Sequence, residues 1–191
     1  RAGDYTTAPE LSERFGVCLA TQIMEVLTEL GGGSILEMGP GSGKLARDIL
    51  MELNARDALP EAYYLFDISE KLAQHQTDYL RAQLPEHVFQ RVRFQKNLPI
   101  NQPFKGVIIG NEVMDAMPVE AITKQAGKWR RKMIDCTNDV LHWATEAEDA
   151  PSSYATDLAS GWCLRLPDGY QTEVQTQYKT CLTPLFESLS E

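Results

Sequence analysis

Two short stretches of this chain gather residue types that do chemistry. The first is Ile35-Leu36-Glu37-Met38-Gly39-Pro40-Gly41-Ser42-Gly43: an apolar run, an acid near its end, then three glycines at alternate positions. Glycine at that spacing suits a sharp strand-to-helix turn that demands positive φ, and it lets a ligand approach bare backbone. The helix start beyond it offers free N–H groups. The second stretch, Gly110-Asn111-Glu112-Val113-Met114-Asp115-Ala116-Met117-Pro118, sets Asn111, Glu112 and Asp115 straight after the apolar Val107-Ile108-Ile109. Open α/β sheets bind ligands at such carboxyl ends of strands. Paired carboxylates hold the fork of a guanidinium. Glu112 and Asp115, three apart, share a face if the segment begins a helical turn. Helix capping and ordinary strand-end polarity compete seriously as an account of any one of the three residues.

Spacing separates the ligands that a glycine turn can serve. A phosphate-cradling loop wants G-x-x-x-x-G-K-[ST], but Lys44 is followed by Leu45, and Met38 holds the leading glycine position. A dinucleotide turn wants G-x-G-x-x-G; counted from Gly39 and Gly41, its last glycine falls on Lys44 rather than Gly43. Glu37 would also sit poorly beside an anionic pyrophosphate and well beside a cation. The E-x-G-x-G-x-G spacing resembles motif I of class I S-adenosylmethionine-dependent methyltransferases, whose loop wraps the methionyl part of the cofactor. Asp67, followed by Ile68, ends the apolar Tyr64-Leu65-Phe66. There such enzymes carry an acid for both ribose hydroxyls, and a carboxylate with two acceptor oxygens matches a vicinal diol. A solvent-facing loop acid or a helix cap explains Asp67 as well. Asn97, after the next strand, is a candidate for the adenine amino group.

The elements that must position these residues read as alternating helices and strands. Apolar residues at three- and four-residue spacing predict a helix over 10–30, ended by Gly31-Gly32-Gly33. A strand over 34–38 leads through the glycine turn to a helix over 42–54. A strand over 62–68, a helix over 70–84 capped by Ser69, a strand over 92–95 and a strand within 105–113 follow. The run Val107-Ile108-Ile109 has the look of a strand buried on both faces. Alternation of this kind predicts an α/β fold with a doubly wound, Rossmann-like parallel sheet. Beyond Pro118 the pattern changes to a hairpin of strands over 119–124 and 128–136 around Gly127. A polar loop over 138–160 comes next, then a helix over 172–189 despite Pro184. The domain expectation is a cofactor-binding core over 1–118, with an insertion and helix over 119–191 continuing into further chain.

Composition narrows the function classes. The chain has 191 residues, with 18 basic against 27 acidic side chains and a formal net charge of −9. That balance disfavours a sequence-independent grip on nucleic acid. No apolar run is long enough to span a bilayer. Cys18, Cys136, Cys163 and Cys181 are scattered, without the spacing of a metal site, and are expected as reduced thiols. No metal is expected. Trp129, Trp143 and Trp162 are expected to be packed, and His75, His87 and His142 to be surface or core residues. The chain opens at Arg1, without Met, on what reads as mid-protein sequence.

Three longer blocks carry a resemblance. Gly3-Asp4-Tyr5-Thr6-Thr7-Ala8-Pro9-Glu10-Leu11-Ser12 with Phe15-Gly16, the glycine block through Lys44-Leu45 and Asp48, and Asn111-Glu112 with Asp115-Ala116-Met117-Pro118-Val119 lie in the same order as the signatures of MidA-type proteins. Tyr64 to Gln76, with Ser69 and Leu72, fits the stretch between, and Gly169 to Val174 resembles a weaker downstream block. The resemblance implies a class I methyltransferase fold and S-adenosyl-L-methionine as cofactor. Mitochondrial members dimethylate an arginine of a core subunit of respiratory complex I and act in its assembly. By motif position, Glu37, Gly39, Pro40, Gly41, Gly43, Asp67, Ile68 and Asn97 bind cofactor. Glu112 and Asp115 face the substrate guanidinium, and Asn111 shapes the pocket. Thr7, Pro9 and Glu10 lie on the substrate side. The family sheet has seven strands, about four of which fall within these residues, so further strands are expected outside the chain. The expected partner is a protein substrate, in the bacterial cytoplasm or the mitochondrial matrix. A catalytically idle scaffold that binds cofactor or a partner subunit is the alternative, and an oxidoreductase is disfavoured by the glycine spacing.

Overall fold

The computed structural model describes residues 6–97, 103–150 and 165–189. Gly3-Asp4-Tyr5 of the first signature, Trp162, Cys163 and the part of the expected polar loop from Pro151 onward lie outside the described residues. The chain divides into two compact units, one of Arg1–Asp115 with Pro184–Glu191, the other of Ala116–Thr183.

The first unit opens with two helices where the spacing predicts one. Ser12 has extended backbone (φ −158°, ψ 134°), and its hydroxyl accepts from the Arg14 N–H at 3.2 Å. A serine that satisfies a helix-start donor in this way begins a new helix. The result is a short α1 (Ala8–Leu11) and a long α2 (Glu13–Glu29). Gly16, Ala20, Ile23 and Leu27 form the buried stripe of α2. There follow β1 (Ser34–Met38), α3 (Lys44–Ala55), β2 (Tyr63–Phe66), α4 (Glu70–Gln83), a one-turn α5 (Glu86–Phe89) absent from the sequence expectation, β3 (Val92–Gln95) and β4 (Gly106–Gly110). The Ser69 hydroxyl caps α4 by accepting from the Leu72 N–H at 3.3 Å.

These strands form one parallel sheet in the order β3-β2-β1-β4. From β1 the chain moves outward through β2 to β3, then returns to pair β4 on the other side of β1. The strand order therefore reverses between β1 and β4, and the carboxyl ends of those two strands are where open α/β sheets bind ligands. Met38 of β1 is level with Phe66 of β2 and Gly110 of β4. Phe66 is level with Gln95 of β3. The doubly wound α/β expectation holds. One face of the sheet buries Ile35, Tyr63, Leu65 and Val92 against Ile23, Leu27, Ile49, Leu53, Leu80 and Val88 from the helices. The expectation that Val107-Ile108-Ile109 is buried on both faces is corrected: all three are half-buried, because β4 is an edge strand among the described residues.

The second unit is an antiparallel sheet in the order β7-β6-β5-β8, of β5 (Val119–Gln125), β6 (Lys128–Thr137), β7 (Val140–Thr145) and β8 (Gln171–Gln175). The hairpin around Gly127 forms as expected, with Ala126 (φ 49°) and Gly127 (φ 76°) as a two-residue turn. Two expectations fail here. The stretch from 138 begins not with a loop but with a second hairpin, turning on Asn138 (φ 51°) and Asp139 (φ 61°) into β7. Residues 171–175 are strand, not helix: Gln171 to Gln175 alternate in side-chain direction and pair with β5, burying Val174. The final helix, α6 (Tyr178–Ser188), starts after them and contains Pro184. Trp143 is not packed but 60% exposed on β7, with the Lys132 ammonium 4.1 Å from its ring centre. Trp129 packs edge-on against Tyr170. Cys18, Cys136 and Cys181 are free thiols.

Candidate functional site

The carboxyl ends of β2, β1 and β4 bring the separated sequence stretches to one edge of the first unit. From β1 come Glu37 and the glycine turn. Gly39 (φ 61°), Gly41 (φ 55°) and Gly43 (φ 84°) all have left-handed backbone, and Gly43 begins α3. At Gly39 the lack of a side chain is needed twice over. Its φ disfavours any other residue, and an added Cβ would stand 3.0 Å from Val113 Cγ2 on the turn that follows β4. Bare backbone thus lets the two strand-end turns approach each other. Pro40 is buried, and its carbonyl accepts from the Gly43 N–H at 2.8 Å. At Gly41 an added Cβ would meet nothing within 4 Å, so that part of the turn is open.

Glu37 is only 2% exposed, and the Tyr63 hydroxyl donates to its Oε2 at 2.8 Å. Burial raises its carboxyl from 4.5 to about 7, against the lowering effect of the Tyr63 hydrogen bond. The same burial and the neighbouring acid push the Tyr63 hydroxyl well above the usual phenol range, so it stays a donor. An acid held this close to neutrality is one that a bound cation would ionise.

Asp67 and Ile68 lie just past the end of β2 rather than in it. Asp67 is half-buried; its Oδ1 accepts from the Ser69 N–H at 2.8 Å and its Oδ2 from the Gln76 amide at 2.9 Å. Ile68 is 89% exposed. Asn97, two residues beyond β3, is exposed at the same edge of the sheet.

β4 ends at Gly110, earlier than the sequence pattern suggests, so Asn111, Glu112 and Val113 form a turn. Glu112 is exposed and has φ 53°, a strained conformation for a glutamate. A 3-10 turn covers Met114–Ala116 only. Glu112 and Asp115 therefore do not share one regular helical face; the local twist at Glu112 sets its direction instead.

The amino-terminal segment docks on the glycine turn. Pro9 is buried, Thr7 is half-buried, and Glu10 is exposed with its carboxylate accepting from the Ser42 hydroxyl. Lys44 Nζ donates to the Glu10 carbonyl at 3.0 Å. This ties Glu10 to the start of α3. Sequence reasoning missed Tyr63, Val113 and Gln76 as parts of the site. Gln76 alone carried a signal, since it lies in the stretch that fits the family between the first two strands' blocks.

The arrangement fits the sulfonium cofactor on three counts. The glycine turn exposes backbone at Gly41, a carboxylate with free acceptor positions stands at the end of β2, and a buried acid near neutral pH lies under the turn. Among the described residues no helix is long and apolar enough to cross a membrane, and no group of His, Cys, Asp or Glu could hold a metal ion.

Known proteins resemble this chain over most of its length. The family described as S-adenosyl-L-methionine-dependent methyltransferases matches residues 18–191. Over 158 residues the chain is 29% identical to the mitochondrial protein arginine methyltransferase NDUFAF7 homologue of Drosophila melanogaster, covering 71% of this chain and 35% of that protein. For the Danio rerio protein arginine methyltransferase the values are 28% over 154 residues, 70% and 36%. A solved Burkholderia thailandensis protein bound to S-adenosyl-homocysteine superposes with a TM-score of 0.85 at 31% identity, covering 98% of this chain and 47% of that one. A native structure from the same organism gives 0.84 at 33%, covering 99% and 49%. The chain thus spans about a third of the length of these curated relatives and about half that of the solved ones. With the match running over most of its length, the chain belongs to the family of S-adenosyl-L-methionine-dependent methyltransferases.

Proposed function

We propose that the protein transfers methyl groups to an arginine of a protein substrate, of the kind found in a respiratory complex I subunit. The observation that carries this reading is the pair of acids, Glu112 and Asp115, on the turn packed against the glycine loop. Bound S-adenosyl-L-methionine supplies an electrophilic methyl group on a sulfonium. Gly39, Pro40, Gly41 and Gly43 hold its methionyl part on bare backbone, and Glu37 offsets the positive charge. Asp67 accepts the ribose hydroxyls, with Ile68 beside it and Asn97 toward the base. Glu112 and Asp115 bind the guanidinium fork through charge-assisted hydrogen bonds and draw its positive charge away from the nitrogen that attacks. Asn111 shapes the pocket. Much of the rate of such an in-line displacement comes from positioning, and the left-handed backbone of Glu112 helps set the direction of its side chain. Thr7, Pro9 and Glu10 flank the acceptor side. The names of the curated relatives support arginine as acceptor.

In this reading Arg1–Pro118 form the cofactor-binding core, and residues 119–191 an insertion and helix attached to it. The test is transfer of labelled methyl from S-adenosyl-L-methionine to an arginine-bearing subunit, read by mass spectrometry. Glu112→Gln is expected to lower transfer by about a hundredfold or more, with affinity for S-adenosyl-homocysteine unchanged. Cofactor binding without any labelled arginine would favour the scaffold role instead.

A further inference from the structure

Gln76 is the most deeply buried polar side chain of α4, with no exposed surface. Its Nε2 donates to the Gly41 carbonyl at 3.0 Å and to Asp67 Oδ2 at 2.9 Å. Both partners are acceptors only, so the amide can face them in one orientation. Its Oε1, turned away, is buried with no partner among the described residues. A Cβ added at Gly43 would stand 3.7 Å from Gln76 Cβ and 3.6 Å from Leu80 and Tyr79, so this face of α4 lies directly against the glycine turn. A buried amide oxygen left without a partner is a cost to folding. Folding alone therefore does not account for glutamine at this position.

We infer that Gln76 is a positioning residue for the nucleoside half of the cofactor site, locking the Asp67 carboxylate and the Gly41 peptide into one frame. The inference rests on the reading of Asp67 as the acceptor for the ribose hydroxyls. The Ser69 N–H fixes one carboxylate oxygen and the Gln76 amide the other. The remaining lone pairs of Asp67 then point in a set direction before any ligand arrives. The same amide holds the middle of the glycine turn through Gly41. One side chain thus couples the arm that grips the methionyl part to the arm that grips the ribose, which lowers the ordering needed on binding.

The test is calorimetric titration of S-adenosyl-homocysteine into the wild-type protein, Asp67→Asn, Gln76→Met and the double variant, with thermal melts of each. Methionine keeps the length and volume of glutamine without its polar atoms. Gln76→Met is expected to raise Kd by about tenfold to a hundredfold while its melting temperature holds or rises. The double variant is expected to lose less affinity than the two single losses summed, because part of the effect of Gln76 runs through Asp67 and the rest through Gly41. A Gln76→Met protein that binds like wild type while Asp67→Asn is impaired overturns this inference alone. So do a lowered melting temperature and losses that simply add. Should Gln76→Met not fold, Gln76→Asn, whose shorter amide cannot reach both partners, answers the same question by the same additivity. A wild-type protein indifferent to the ligand, or Asp67→Asn equal to wild type, overturns the cofactor reading and this inference with it.

Discussion

Burial of Glu37 behind Tyr63 raises its carboxyl from 4.5 to about 7, and that shift has opposite consequences for folding and for binding. A carboxyl whose folded pKa lies above its unfolded value binds more protons in the folded state. Its contribution is therefore most favourable below 4.5 and declines as the pH rises through the window from 4.5 to about 7. The decline is on the order of 3 kcal/mol once the acid is fully ionised. Glu37→Gln keeps an acceptor for the Tyr63 hydroxyl and removes the titration. The variant is expected to be more stable than wild type at pH 8, with the gap closing toward pH 4.5, as read by urea unfolding at both values. It is also expected to bind S-adenosyl-L-methionine about tenfold more weakly, since a neutral amide no longer attracts the cation. Greater stability together with weaker binding in the variant would mark Glu37 as a residue whose burial is costly to folding and useful to the cofactor site.

At the scale of elements, the parallel register of β2, β1 and β4 does the assembling. Phe66, Met38 and Gly110 are level, so the turns that follow them emerge side by side. Gly39 and Val113 lie close enough that a Cβ added at Gly39 would stand 3.0 Å from Val113 Cγ2. Gly39→Ala is expected to cost about 1–2 kcal/mol from its left-handed backbone and to weaken S-adenosyl-homocysteine binding by displacing the turn after β4. Adding Val113→Ala clears the Cγ2 contact but leaves the dihedral strained. The double variant should therefore recover affinity and not stability, which paired titrations and melts would show.

On the scale of the whole molecule, the two units have separate cores. The core of the second unit centres on Ile122, with no exposed surface, and on Val174, both from adjacent strands β5 and β8. Ile122→Ala removes buried methyl groups and is expected to cost about 2–5 kcal/mol. Hydrogen exchange should locate the loss in β5, β6 and β8, with the amides of β1 to β4 keeping their protection. Uniform loss across both sheets would show a single cooperative core instead.

The sequence by itself determined the α/β alternation, the parallel sheet and the identity of the glycine turn, because each depends on local patterning: apolar runs, glycine at fixed spacing, a capping serine at Ser69. The first hairpin was legible from Gly127 in the same way. The second had a signal too, in the Asn138-Asp139 pair before Val140 and Leu141, but the polar stretch that follows hid it. Tertiary structure alone decided the rest. Residues 171–175 are strand because β5 offers them partners, and spacing alone could not show that. The acids of the turn after β4 do not line one helical face; the left-handed backbone of Glu112 directs them. In the sequence, Gln76 is only the end of the stretch that fits the family, with no role attached. Its contacts to Gly41 and Asp67, 35 and nine residues away, exist only once α4 packs on the sheet. Local interactions choose elements, whereas the burial and partners of a side chain are set by residues distant in the chain.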